Sequence, residues 1–285
     1  MIWKIGGKEM DLSRRARVMG ILNVTPDSFS DGGRHAGVVG ALEQARRMIG
    51  DGAEIIDVGG ESTRPGAAAV SADEEIGRTV PVVEALRREW DGLISIDTSK
   101  AAVARAVLAA GADIVNDVTG LRGDDGMAGL CAETGCGVVV MHMQGEPRTM
   151  QRAPVYGDVV AEVAGFFRER HEVLVAAGID EGALCFDPGI GFGKNLEHNV
   201  ALLRNLDRLS PSGCPLMLGI SRKSFIGKLL GDERMELRDW PTVVITAKAR
   251  EQGVMLHRVH EVRRNVEALR MIEAIRGECA GAEAG

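Results

Sequence analysis

The chain has 285 residues and a net charge of −7, with 45% hydrophobic and 4% aromatic residues. The acidic balance gives no general attraction to nucleic acid or anionic membranes, and so few aromatics argue against a base-stacking surface. The apolar content is ample for one large core, and α/β barrels of this length fold as one domain.

The chain opens with IWKI-GG-KEMDL, which predicts a hairpin with a Gly-Gly turn within residues 1–17, placed as a lid on the bottom of a barrel. From there one unit returns. A helix-period segment ends in Gly, and a short β-branched run follows at once. AEIID follows Gly52, ADIVND follows Gly111, VVVMHM follows Gly137 and VMLHRVH follows Gly253. Glycine just past a helix tolerates the left-handed cap, so all four read as helix stops. Helical spacing is present in Leu42, Ala45, Met48 and Ile49, and again in Val103, Ala106, Val107 and Ala110.

Eight strands are predicted: VMGILNV from Val18, EIIDVG from Glu54, LISID from Leu93, DIVND from Asp113, VVVMH from Val138, ALCFD from Ala183, PLMLGI from Pro215 and VMLHRV from Val254. They are near-continuous apolar runs, as in strands buried on both faces, and their alternation with helices means parallel βα units. This predicts a single (β/α)8 TIM barrel over residues 1–285, with 277–285 as a frayed tail. The runner-up, a doubly wound sheet binding a dinucleotide, is disfavoured because GILNVTPDSFSDGG holds no G-x-G-x-x-G. The five cysteines, Cys131, Cys136, Cys185, Cys214 and Cys279, form no C-x-x-C pair and read as free thiols of a reducing compartment. No secretory apolar region and no run of about 18 apolar residues is present, which predicts a cytoplasmic protein that does not enter membranes.

Nearly every predicted strand ends in polar residues. The first ends at Asn23, the second runs past Asp57 to Thr63 and Arg64, and the third ends at Asp97. The fourth ends at Asn116 and Asp117, the fifth at His142, the sixth at Asp187, the seventh in SRKS and the eighth at Arg258 and His260. In a parallel barrel these ends converge on one face. Singly, several have plain readings. Asp57 lies inside its run and reads as structural, Asp117 as bonded to local backbone, His142 as packed, and Thr98 and Ser99 as helix caps. The set says more: Arg64, Lys223, Arg258 and His260 on one face predict an anion of high charge, such as phosphate or pyrophosphate. GISRKSFIG, with Arg222 and Lys223 between Ser221 and Ser224, likewise predicts a pocket for a polar or anionic ligand. His257 and His260 would face opposite sides of a strand and H-E-x-x-H is absent, so zinc is not expected. A Mg²⁺ held by oxygen ligands and bridging phosphates fits better, with Asn23 or Asp31 helping to hold it. GIGFGK lacks the second half of a Walker loop, which disfavours an ATPase.

GILNVTPDSFSDGG, IIDVGGESTRPGA, ISIDTSK, VNDVTGL, VVMHMQGEPRTMQ, FDPGIGFGKNLEHN, GISRKSFIG and RVHEV together resemble the motifs of the dihydropteroate synthase family, in order and spacing, from Val18 to Ala268. The resemblance implies a pterin-binding (β/α)8 barrel and a transferase of folate biosynthesis. Its reaction would join 6-hydroxymethyl-7,8-dihydropterin diphosphate to p-aminobenzoate, giving 7,8-dihydropteroate and pyrophosphate with Mg²⁺. It further implies that Asp97, Asn116, Met141, Asp187 and Lys223 bind the pterin, and that Thr63, Arg64, Arg258 and His260 contact the diphosphate. Phe29, Pro65, Phe192 and Ser224 resemble the residues that frame p-aminobenzoate, and Asn23 and Asp31 the metal site. By the same resemblance, Asp97, Lys223, Arg258 and His260 carry the chemistry, sulfonamides are expected inhibitors as mimics of p-aminobenzoate, and a homodimer is expected.

Two departures stand out. ERMELRDWPTVVITAKAREQG occupies the place of a family segment in which Gly-Ser or Gly-Thr opens a small-residue helix, although Asp239 and Pro241 still predict a helix start. Glu261 in RVHEV stands where the family has Asp. The alternative within the same barrel class is a methyltransferase acting on methyltetrahydrofolate with a corrinoid partner, which has no need for SRKS or the R-x-H pair. A non-catalytic pterin-binding homologue is the third reading.

Overall fold

The structure, a computed structural model, describes residues 1–25, 33–62, 69–145, 150–151, 153–211 and 213–278, with the side chains of 33–36 excepted. At its start, β1 (Ile2–Ile5) and β2 (Lys8–Asp11) pair antiparallel with Ile5 opposite Lys8. The two residues between them, Gly6 at φ 54° and Gly7 at φ 84°, both need the left-handed region, which is why the turn is Gly-Gly. Trp3 and Ile5 alternate with exposed neighbours and are fully buried. With Leu12 they pack onto Met19, Ile55, Leu93, Ile114, Val139, Cys185, Met217 and Leu256, closing the N-terminal end of a barrel as expected. Trp3 Nε1 donates to Ala183 O at 2.8 Å, so the polar edge of the plug is also satisfied.

The barrel strands are β3 (Arg17–Asn23), β4 (Ile55–Gly59), β5 (Leu93–Asp97), β6 (Ile114–Asp117), β7 (Gly137–Met141), β8 (Leu184–Asp187), β9 (Met217–Leu218) and β10 (Leu256–Val259). All pair in parallel in the order β8-β7-β6-β5-β4-β3-β10-β9. The ring closes through a parallel bridge between Phe186 and Leu216, with Phe186 N donating to Pro215 O at 3.0 Å. The seventh barrel strand is thus much shorter than PLMLGI suggests. Pro215 has no N–H to give a ladder, and Gly219 brings no side chain to hold a strand face.

Among the described residues nine α-helices surround the strands: α1 (Gly33–Gly50), α2 (Ala72–Glu89), α3 (Ala101–Ala109), α4 (Met127–Thr134), α5 (Val159–Ala176), α6 (Leu196–Arg204), α7 (Ser224–Leu230), α8 (Asp239–Glu251) and α9 (Val262–Ile275). The outward residues of the strands, among them Ile56, Val58, Ile94, Ile96, Val138, Val140 and Phe186, pack under them. Gly52, Gly111 and Gly253 follow helices with positive φ, as expected. Gly137 does not. The stop after α4 is Gly135 at φ 63°, while Gly137 begins β7, where a Cβ would sit 3.1 Å from Ile5 Cγ1. α8 forms despite its unusual sequence, and Thr246 on it donates to Asn265 Oδ1 of α9 at 2.8 Å in a fully buried contact.

Candidate functional site

Side chains alternate along a strand, so each barrel strand sends every second residue inward. The register sets Asn23 beside Gly59, Gly59 beside Asp97, and Asp97 beside Asn116, in one row at the C-terminal rim. Gly59 carries no side chain in this row; a Cβ there would lie at ordinary contact distance, 3.7 Å, from Asn23 Oδ1 and Asp97 Cβ.

Arg258 reaches across from β10. Its Nε donates to Asp57 Oδ2 at 2.6 Å and its Nη2 to Asp97 Oδ2 at 2.7 Å. Asn116 Nδ2 donates to the same Asp57 oxygen at 3.2 Å. Asp57 therefore is no mere strand residue. It is fully buried and anchors the guanidinium in the mouth. Burial pushes Asp97 up to about 7, with Arg258 opposing and the Asp57 and Glu75 carboxylates adding to the rise. Burial works against the charge on Arg258, but Asp57 and Asp97 outweigh it and hold it above its ordinary value. Asp57 Oδ1, Asp97 Oδ1 and Ser95 Oγ are buried without a hydrogen-bond partner.

Asp187 closes the opposite side. Its Oδ1 accepts from Gly189 N at 2.7 Å, and its Oδ2 faces Gly219, where a Cβ would come within 3.1 Å. Burial raises its pKa, with the Gly189 N–H, Lys223 and Arg258 pulling the other way. Lys223 Nζ lies 3.8 Å from the centre of the Phe192 ring. Met141, at the tip of β7, packs with Phe192, Val118, Met143 and Met150. Ser224 is exposed at the start of α7. Ser221 Oγ accepts from His260 N at 3.1 Å and lies 3.0 Å from His260 Nδ1. Either atom of the Ser221–His260 Nδ1 contact can supply the proton, so the contact fixes the ring's place and not its tautomer.

The rim thus brings together Asn23, Asp97, Asn116, Met141, Asp187, Phe192, Lys223, Ser224, Arg258 and His260, from the C-terminal ends of seven strands and the connections that follow them. Phe29, Asp31, Thr63, Arg64 and Pro65 lie outside the described residues. Arg222 takes no part. At φ 59° it turns away and makes a bidentate pair with Asp239, at 2.7 and 3.0 Å. Asp117 accepts from Thr119 N, serving local backbone as its spacing suggested. Thr98 and Ser99 do not cap α3: its N-cap is Lys100, without a side-chain cap, and Thr98 Oγ1 accepts from Lys100 N at 3.3 Å ahead of the helix. His142 is packed edge-on against Phe166, and burial pushes it down to about 3.

Two residues escaped the sequence reading. Asp57 was masked by its apolar run, although its place two residues before the strand tip marks it as inward-facing. Lys194, in GIGFGK, is 2% exposed, and burial pushes it down to about 7. Among the described residues, no three His, Cys, Asp or Glu side chains gather to hold a metal.

Residues 19–260 match the family model described as pterin binding enzyme. The dihydropteroate synthase of Escherichia coli strain K12 is 49% identical over 271 residues, covering 94% of this chain and 94% of its own. The solved Yersinia pestis dihydropteroate synthase with a sulfonamide drug superimposes with a TM-score of 0.90 at 48% identity, over 97% of this chain and 100% of that one. The Xanthomonas albilineans dihydropteroate synthase with 4-aminobenzoic acid gives a TM-score of 0.90 at 45% identity, over 97% and 99%.

Proposed function

The chain belongs to the dihydropteroate synthase family of pterin-binding enzymes, and from that membership we infer how its barrel mouth performs the condensation. The reaction joins 6-hydroxymethyl-7,8-dihydropterin diphosphate to p-aminobenzoate and yields 7,8-dihydropteroate and pyrophosphate. One observation carries the assignment of the pterin end. Asp97 Oδ1 is a buried acceptor with no partner, beside the Asn116 amide and across from Asp187 Oδ2. The amide and amino–imine edge of a pterin would supply N–H donors to this oxygen and to Asp187 Oδ2, and a ring without them would leave Asp97 Oδ1 unpaired.

Lys223 and the Phe192 ring bound the pterin on the side where p-aminobenzoate enters, with Ser224 beyond. Arg258 and His260 would meet the diphosphate, and by family resemblance Thr63 and Arg64, outside the described residues, would do so too. The methylene–oxygen bond breaks with its electron pair going to the diphosphate, and the cation left on the methylene is delocalised into the dihydropterin near the Asp97 carboxylate. The neutral aryl amine then forms the carbon–nitrogen bond, and its extra proton passes to pyrophosphate or water. No strong base is required.

The half-buried Asn23 amide at the tip of β3 suits Mg²⁺, an ion that keeps most of its waters and takes one or two protein ligands beside substrate phosphates. Asn23, with Asp31, would hold it, and when bound it would offset charge on the departing diphosphate. The supporting test is pyrophosphate release with both substrates, with and without a chelator. Release that needs both substrates and stops on chelation is expected. Pterin binding with no release would overturn the reading.

We further propose a homodimer through α8 and α9, where Trp240, Val244, Met271 and Ile275 are 63–75% exposed on adjacent helices. Trp240→Glu is expected to give monomers in sedimentation. No helix among the described residues is long and apolar enough to cross a membrane, and a cytoplasmic location is proposed from the free, buried Cys131, Cys136, Cys185 and Cys214. Sulfonamides are proposed to compete for the p-aminobenzoate end.

A further inference from the structure

The β8–α6 connection, from Asp187 to Lys194, carries residues of both substrate ends. It lies backbone-to-backbone on the segment that follows β7. A Cβ on Gly189 would fall 2.0 Å from His142 O, and one on Gly193 would fall 2.3 Å from Gln144 O. Such contact turns carbonyls toward each other, and they need donors. Tyr156 OH reaches Gly193 O at 2.9 Å. The carbonyls of His142, Gly189 and Phe192 converge on Lys194. Its Nζ lies 2.9 Å from His142 Nδ1, 3.0 Å from Gly189 O, 3.0 Å from Phe192 O and 3.3 Å from His142 O. An ammonium has three protons for these acceptors, whereas a neutral amine has two and turns a lone pair toward one of them.

We infer that Lys194 is a positioning residue: its ammonium ties the Asp187–Phe192 loop to the end of β7 and so sets the Phe192 ring against Lys223, at the boundary between the two substrates. This rests on the synthase reading above. Lys194 touches neither substrate. It acts through the Phe192 carbonyl, whose ring holds Lys223 Nζ at 3.8 Å. The titratable and charged groups around it are His142 after β7, Tyr156 on the following connection, Asp187 on β8 and Lys223 before α7, with Arg122 on the far side of His142. Burial disfavours the ammonium, Asp187 supports it and Lys223 opposes it, which brings its titration down to about 7. The clamp is therefore complete on the acid side of neutrality and loses a donor on the alkaline side. His142, held near 3, stays neutral throughout and so reports on Lys194 rather than on itself.

The test combines kinetics with nitrogen NMR of histidine-labelled protein. For the wild type, the KM for p-aminobenzoate is expected to rise several-fold between about pH 6 and about pH 9, with a smaller change in kcat. Lys194→Met is expected to show a KM about tenfold higher at the acid end, with that pH dependence gone. In wild-type protein the Nδ1 signal of His142, assigned with His142→Phe, should shift in one step near neutrality. A folded Lys194→Met variant with wild-type KM and an unchanged profile overturns the inference, and so does a His142 signal that does not move. If the wild type makes no dihydropteroate, the synthase reading falls instead, and the histidine titration alone decides the clamp.

Discussion

The two ends of the barrel are made by the same strands and differ by a step of two residues. At the closed end the inward side chains are Ile55, Leu93, Ile114, Val139, Cys185, Met217 and Leu256, sealed by Trp3 and Ile5. Two positions on, the same strands present Asp57, Ser95, Asn116, Met141, Asp187, Gly219 and Arg258. That step is about 6.6 Å along each strand. It separates a layer that supplies stability from one that holds charges under electrostatic tension. The apolar layer also makes the charged one possible, because a dry floor strengthens every interaction above it and raises the pKa of Asp97.

The largest effect should come from breaking the charged layer. Arg258→Met leaves the Asp57 and Asp97 carboxylates buried and facing each other. Turnover should fall by about a thousandfold, and stability by about 3–5 kcal/mol, read by pyrophosphate release and by denaturant titration. A variant as stable as the wild type would mean that the two layers do not differ in this way.

Next comes the plug. Trp3→Ala should cost about 3 kcal/mol through the cavity and the lost bond to Ala183 O, with kcat unchanged when measured well below the unfolding midpoint. A parallel fall in kcat would show that the ends are not independent.

A smaller, graded effect follows from pH. Asp97 titrates at about 7 in the folded protein. As pH falls through that value its carboxylate is lost as an acceptor, and pterin affinity should weaken by up to about tenfold per unit. The sign for stability is opposite. Between the ordinary carboxylate range and about 7 the folded state binds more protons than the unfolded one, so the Asp97 contribution to stability declines as pH rises across that window. Calorimetric titration with a pterin across this range checks the first, and Asp97→Asn should flatten it.

Much of this was legible in the sequence for a physical reason. Glycine stops and apolar runs mark βα units, and the polar tips of parallel strands must meet. What was hidden depends on contacts across the barrel. Asp57 looks structural until Arg258 arrives from a strand some two hundred residues later. Arg222 and Lys223 are neighbours in sequence, yet positive φ at Arg222 sends one to Asp239 and leaves the other beside Phe192. Lys194 has a role only because three backbone carbonyls turn toward it, which no spacing of side chains announces.

The smallest effect locates the edge of the charged layer. Glu261 follows His260 directly, so it would be natural to count it in the site. Its side chain instead caps α9, accepting from Arg264 N at 3.1 Å. A cap contributes about 1 kcal/mol, and Asp is preferred over Glu there because its shorter side chain reaches the backbone with fewer rotamers to fix. Glu261→Ala should therefore lower stability by about 1 kcal/mol, and Glu261→Asp should match or slightly exceed the wild type. Neither should change turnover. If Glu261→Ala cut kcat severalfold, the cap would be holding His260 against Ser221, and the working end of the barrel would reach one residue further into α9 than its contacts indicate.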